Sequence, residues 1–90
     1  MVNMWEILFT KNAEKDKRLL KQAGIDRKAK KLLDVLSNNP FQNPPSYEKL
    51  IADLDVYYSR RINVQHRLVY RVIEDKHQVI VHAMWSHYGD

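Results

Sequence analysis

The chain has no cysteine. That excludes disulfides, thiolate zinc clusters and a cysteine nucleophile, and leaves packing alone to hold the fold, as suits a cytoplasmic protein. Glycine is almost as scarce, limited to Gly24 and Gly89, so no glycine-rich loop can cradle the phosphates of a nucleotide. Apolar runs are short: Val79-Ile80-Val81 is among the longest, far below the ~20 residues that span a bilayer. The N-terminus carries no signal-peptide stretch, and Met4 offers a second start. The four histidines, His66, His77, His82 and His87, form neither an i, i+4 helical pair nor a cluster with carboxylates at ligand spacing. Neither a metal nor a cofactor is expected. Ser59 and Ser86 lack the context of an activated serine nucleophile.

What is present is enough for one compact domain: 90 residues, 44% of them hydrophobic and 29% charged. The net charge is +4 and the isoelectric point about 9.4, which favours an anionic partner. The charge is concentrated. Nine basic side chains lie between Lys11 and Lys31 against Glu14, Asp16 and Asp26. Such a run reads either as the solvated faces of two helices or as the footprint of a nucleic acid.

Met4 to Phe9 is rich in β-formers and ends at Thr10, a helix N-cap residue. The stretch from Lys11 to Ala23 has no glycine or proline, and Gly24 stands where a left-handed cap is wanted. Asp26 can cap a second helix, with Ala29, Leu32, Leu33 and Leu36 as its apolar stripe and Asn38-Asn39-Pro40 as its stop. Residues 40–47 hold all three prolines and read as a stiff loop, followed by a turn at Glu48-Lys49-Leu50. Tyr57 to Ile62, Arg67 to Ile73 and Gln78 to Trp85 then form an antiparallel meander. The fold class is α+β: two N-terminal helices packed on a small, twisted, mainly antiparallel sheet.

A two-residue turn at Asp75-Lys76 pairs Leu68, Tyr70 and Val72 with Ala83, Val81 and Val79, an almost wholly apolar face on which the helices should pack. The other face then carries Arg67, Val69, Arg71, Ile80, His82 and Met84, and a loop at Asn63-Val64-Gln65 sets Arg61 opposite Arg67. Two opposed arginines repel unless water or an anion lies between them. Taken singly, Glu48, Arg61, Arg67 and His87 are ordinary surface residues; together they supply a base, two cations and an acid.

The run Tyr57-Tyr58-Ser59-Arg60-Arg61-Ile62-Asn63-Val64-Gln65-His66-Arg67-Leu68-Val69-Tyr70 resembles the Txe/YoeB family of toxins within the RelE-like superfamily. Asn39-Pro40-Phe41, Tyr47-Glu48-Lys49-Leu50 and the closing Met84-Trp85-Ser86-His87-Tyr88 extend the likeness over nearly the whole chain. The resemblance implies a metal-independent messenger-RNA endonuclease acting in the ribosomal decoding site, held inactive by a cognate antitoxin and without membrane attachment. A homodimer is compatible with it. It also implies roles: Glu48 as general base, Arg61 and Arg67 as phosphate contacts with Arg67 catalytic, His87 as general acid, Tyr88 as a substrate contact. Lys49 is a further expected phosphate contact. The sequence departs from the family at Ile51, where a lysine is common, at Ala52 and Val56, where glycines are common, and in the added Gly89-Asp90. A non-catalytic binder of the same fold, gripping RNA or the ribosome or poisoning a topoisomerase, is the alternative.

Those residue types suit the chemistry. Cleavage of RNA without metal needs a base for the 2′-hydroxyl, a cation for the charge that gathers on phosphorus, and an acid for the departing 5′-oxygen. The products are a 2′,3′-cyclic phosphate and a 5′-hydroxyl. A free histidine is only about a quarter protonated at pH 7, so bound RNA must supply the negative charge that keeps His87 acidic.

Overall fold

The structure is a computed structural model that describes residues 4–85. Strand β1 (Glu6–Phe9) runs into helix α1 (Lys11–Gln22) through Thr10, whose Oγ1 accepts a hydrogen bond from the Ala13 amide at 3.1 Å, the capping role expected of it. Gly24 ends the helical turn at φ +75° with its amide on the Lys21 carbonyl, a conformation that residues with a Cβ resist. Helix α2 (Asp26–Asn38) differs in detail from expectation. Its N-cap is Ile25, with no side-chain cap, and Asp26 is the first helical residue, where its charge still opposes the positive end of the helix dipole.

Five strands make one sheet in the order β1-β5-β4-β3-β2, where β2 is Glu48–Ala52, β3 is Asp55–Arg61, β4 is Arg67–Ile73 and β5 is Gln78–Ala83. All neighbouring pairs are antiparallel except β1, which lies parallel to β5 with Ile7 beside Val79 and Phe9 beside Val81. The helices that follow β1 provide the crossover that a parallel pairing requires.

Four expectations about the meander are corrected. Glu48-Lys49-Leu50 is not a turn but the start of β2, which pairs with β3 through a tight hairpin whose central residues, Asp53 and Leu54, sit at φ +50° and +69°. Such turns favour glycine or asparagine, and their absence at 53–54 removed the hairpin signal. Between β4 and β5 the chain makes a 3₁₀ turn, Glu74–Lys76, closed by His77 in the left-handed region, rather than a two-residue turn at 75–76. The pairs Tyr70–Val81 and Val72–Val79 stand as expected, but a bulge at Val69/Tyr70 brings Ala83 opposite Val69 instead of Leu68. The same irregularity ends β5 early and turns Met84, expected on the outer face, into the core, where it is fully buried.

One face of the sheet is covered by the helices. Ala13 and Leu20 from α1 and Ala29, Leu32 and Leu36 from α2 pack on Leu68, Tyr70, Val79 and Val81. Each fully buried leucine contributes about 1.5–3 kcal/mol. The Trp5 amide bonds the Ser37 carbonyl at 2.8 Å and fastens the chain just before β1 to the end of α2. The opposite face stays open, and the polar residues collect there.

Candidate active site

The strand registers assemble the site. Glu48 lies opposite Ser59, and Arg61 opposite Arg67 as expected, so all four share the open face of β2, β3 and β4. Arg67 sits in the middle. Its Nε donates to Ser59 Oγ at 2.6 Å and its Nη2 to Glu48 Oε1 at 2.9 Å. The serine is buried and the glutamate side chain 66% exposed, so the guanidinium is anchored at one end and holds a solvent-facing carboxylate at the other. Glu48 and Arg67, with Arg61, Ser46 and Tyr47, line a cleft of about 200 Å³, and Ser59 lies buried behind it.

The other expected site residues divide. Lys49 follows Glu48 in β2, and strand alternation puts it on the opposite side of the sheet, paired with Tyr58. It does not join the cleft. His87 and Tyr88 lie outside the described residues. Met84 and Trp85, at the end of the described chain, are held by side chains from α1 and from the β3–β4 connection. Asp16 Oδ2 accepts the amides of Met84 at 2.9 Å and Trp85 at 3.3 Å, while the His66 ring stacks on Trp85 at 4.3 Å and bonds its carbonyl through Nδ1. Asp16 is buried on α1. Sequence reasoning counted it only as one acidic residue in a basic segment, because nothing local reveals acceptors or donors 68 and 69 residues away.

Arg60 was missed for a similar reason. It is fully buried, and four of its hydrogen bonds run to Tyr70 Oη (3.0 Å) and the carbonyls of Pro45 (2.6 Å), Pro40 (3.0 Å) and Gln42 (2.8 Å). The guanidinium also lies 4.7 Å from the centre of the Tyr47 ring. It thereby nails the proline-rich loop to the sheet and sets the cleft wall at Ser46 and Tyr47. Tyr70 completes the knot by donating to the Pro40 carbonyl at 2.8 Å. Burial pushes the Tyr70 phenol up, against the hydrogen bond and charge of Arg60, which pull it down. One signal was available: in a strand, two adjacent arginines face opposite ways, so either Arg60 or Arg61 had to lie on the side of the sheet that the helices cover.

Further along the open face, Tyr57 meets His82 edge-on, with ring centres 5.3 Å apart. Among the described residues no hydrogen-bond partner reaches the buried His82 Nε2. Desolvation, then the nearby Arg71 charge, lowers the His82 pKa, offset in part by Asp55. Among the described residues no group of three or more histidine, aspartate or glutamate side chains is placed to hold a metal ion, and no helix is long and apolar enough to cross a membrane.

Comparison with known proteins gives a consistent picture. Residues 4–88 match the family model of the YoeB-like toxin of bacterial type II toxin-antitoxin systems. Toxin YoeB of Streptomyces coelicolor is 40% identical over 76 residues, covering 84% of this chain and 81% of that protein. Toxin YoeB of Synechocystis is 38% identical over 61 residues, a match that spans 68% of this chain and 64% of the relative's length. Among solved structures, the YoeB/ParE toxin of Agrobacterium tumefaciens superposes with a TM-score of 0.81 at 28% identity, over 92% of this chain and 99% of that one. YoeB of Staphylococcus aureus, solved in a YoeB-YefM complex and as a dimer, is 32% identical with TM-scores of 0.76 and 0.78, covering 93% of this chain and 98% of each.

Proposed function

The chain belongs to the YoeB-like toxins of bacterial type II toxin-antitoxin systems, and from that premise we propose that it is an endoribonuclease acting in the cytoplasm on messenger RNA in the ribosomal decoding site. One observation carries the reading: a buried serine aims Arg67 at an exposed glutamate across an open cleft. A structural ion pair needs no such opening, whereas a phosphate must enter between the cation and the base.

In the proposed reaction Glu48 takes the proton of the 2′-hydroxyl, and the freed oxygen attacks the adjacent phosphorus. Arg67, held at Nε by Ser59, turns its remaining donors to the oxygens on which charge develops, and Arg61 on the facing strand adds a second positive charge. His87 protonates the leaving 5′-oxygen, and Tyr88 steadies the substrate beside it. The bond to phosphorus that forms closes a 2′,3′-cyclic phosphate as the P–O5′ bond breaks. The Glu48–Arg67 contact of the free protein must loosen when RNA binds. Because Glu48 is exposed, that costs little.

The proposed controlling partner is a cognate antitoxin, in keeping with the YefM bound to the S. aureus relative. A groove of about 320 Å³ between α1 and α2 suits part of it: Leu20, Leu33 and Met84 form an apolar floor, and Lys17, Lys21 and Lys30 form a rim that Asp26 only partly offsets. An acidic amphipathic segment complements both features. A homodimer of the free chain is the second proposed assembly.

The test is single-turnover cleavage on programmed ribosomes. Glu48→Gln, Arg67→Ala and His87→Gln should each slow cleavage by about 10²- to 10⁴-fold. Thermal melting should show Glu48→Gln folded like the wild type, since an exposed ion pair adds under about 1 kcal/mol. Wild-type cleavage by Glu48→Gln would overturn the mechanism. Intact messages beside damaged DNA in cells expressing the protein would favour the topoisomerase-poison alternative.

A further inference from the structure

The open face does not end at the cleft. The β3–β4 register that sets Arg61 opposite Arg67 and Ser59 opposite Val69 ends at Tyr58 opposite Tyr70; one residue further on, the Arg71 guanidinium lies 5.8 Å from the centre of the Tyr57 ring. Arg71 is four residues along β4 from Arg67 and on the same face. The strand rise separates them by roughly 13 Å, a span that about two nucleotides of extended single strand can cover.

The two arginines differ in how far they are already committed. Arg67 has two short bonds, to Ser59 and Glu48. Among the described residues Arg71 has an ion pair with Asp55 at 3.7 Å, too far for a hydrogen bond, and the Tyr57 ring beside it, and its side chain is 32% exposed. Among the described residues no hydrogen bond engages its guanidinium. The tyrosine beside it is half-buried and braced edge-on by His82, which fixes the ring plane. A guanidinium fork loosely held by one carboxylate, next to a braced aromatic ring, is the pairing that holds a phosphate and the base attached to it.

We propose that Arg71 and Tyr57 form a flanking subsite for single-stranded RNA, in which Arg71 binds a phosphate displaced from the scissile one and Tyr57 stacks on a base. The proposal rests on the reading that RNA crosses this face, and it extends the contact beyond the cleft. Asp55 acts as an internal competitor for the guanidinium. Removing its charge therefore strengthens the subsite, the opposite sign from removing Arg71.

Binding without cleavage separates this proposal from the nuclease reading. The probe is a fluorescent single-stranded oligodeoxynucleotide of mixed sequence, which has no 2′-hydroxyl and cannot be cut, titrated against the full chain over a range of salt. Arg71→Ala should weaken binding by about 3- to 10-fold at low salt and reduce the log–log salt slope by about 0.7, the loss of one single-strand phosphate contact. Arg71→Lys should keep the slope. Tyr57→Ala should weaken binding at least about 5-fold while Tyr57→Phe binds like the wild type, because stacking needs the ring and not the hydroxyl. Asp55→Asn should tighten it by about 2- to 5-fold. Melting curves confirm that each variant is folded. An unchanged slope in Arg71→Ala overturns the phosphate contact, and wild-type binding by Tyr57→Ala overturns the stack. Displacement of the probe by a ten-residue polyglutamate peptide that weakens in Arg71→Ala, together with insensitivity to Tyr57, assigns the surface to an acidic protein partner instead. A slope change without any ribosomal cleavage would leave the subsite standing and remove only the nuclease reading.

Discussion

Replacing Arg60 by methionine separates the residue that builds the site from the neighbour that serves it. Methionine keeps the unbranched stem but removes the charge and all the donors. Four hydrogen bonds from a charged group, at about 1.5–3 kcal/mol each, would suggest a loss of about 6–12 kcal/mol. Two effects reduce that sum. Methionine does not bear the desolvation cost of a buried cation, and the carbonyls of Gln42 and Pro45 belong to exposed residues that water can reach. The Pro40 carbonyl retains its bond from Tyr70. A net loss of about 3 kcal/mol remains, which for a domain of this size lowers the melting temperature by about 12–24 °C. The control is Arg61→Met, one residue along and exposed on the other face, which should melt within about 4 °C of wild type. Both variants should lose function at low temperature, for different reasons. Arg61→Met stays folded and loses substrate binding, whereas Arg60→Met loses activity as the 40–47 loop, and with it the cleft wall, comes free of the sheet. Thermal melting by circular dichroism is the assay. If Arg60→Met melts within about 4 °C of wild type, the knot of bonds around the guanidinium does not hold the loop.

Two further outcomes follow from the same structure. Chelation of divalent ions should leave cleavage unchanged once ribosome integrity is controlled for, because the proposed base, cations and acid are all side chains; activity lost in chelator and restored by added ion would refute the metal-free mechanism. The lowered His82 pKa means that the unfolded chain binds a proton more readily than the folded one, so stability is lost as pH falls below about 6.5 toward the folded-state value. His82→Gln should flatten that acid-side decline in melting temperature while leaving cleavage close to wild type, and an unaltered pH profile would show that another group is responsible.

The sequence by itself determined the features written in local periodicity. Thr10 and Gly24 bracket α1 because a hydroxyl acceptor and a residue tolerant of positive φ are needed at those places whatever surrounds them. The short loop at Asn63-Val64-Gln65 placed Arg61 opposite Arg67, and alternation along β4 directed Leu68 and Tyr70 toward the helices. The motifs around Glu48, Arg61 and Arg67 were distinct enough to carry the family. Only the tertiary structure decided which strands are neighbours and which buried polar groups find partners. The parallel pairing of β1 with β5 joins segments about 70 residues apart with no turn between them to announce it. The β2 hairpin bends at Asp53-Leu54, residues that do not favour its backbone, so strand pairing rather than turn chemistry holds it. Alternation requires one of two adjacent arginines to face inward but cannot say which one will find acceptors. Arg60 is the one because the 40–47 loop, through Pro40, Gln42 and Pro45, and Tyr70 of β4 converge on it, and Asp16 of α1 can be buried because the amides of Met84 and Trp85, just past β5, reach it. A buried polar group is tolerated only where distant partners satisfy it, and distance along the chain is what a local pattern does not encode.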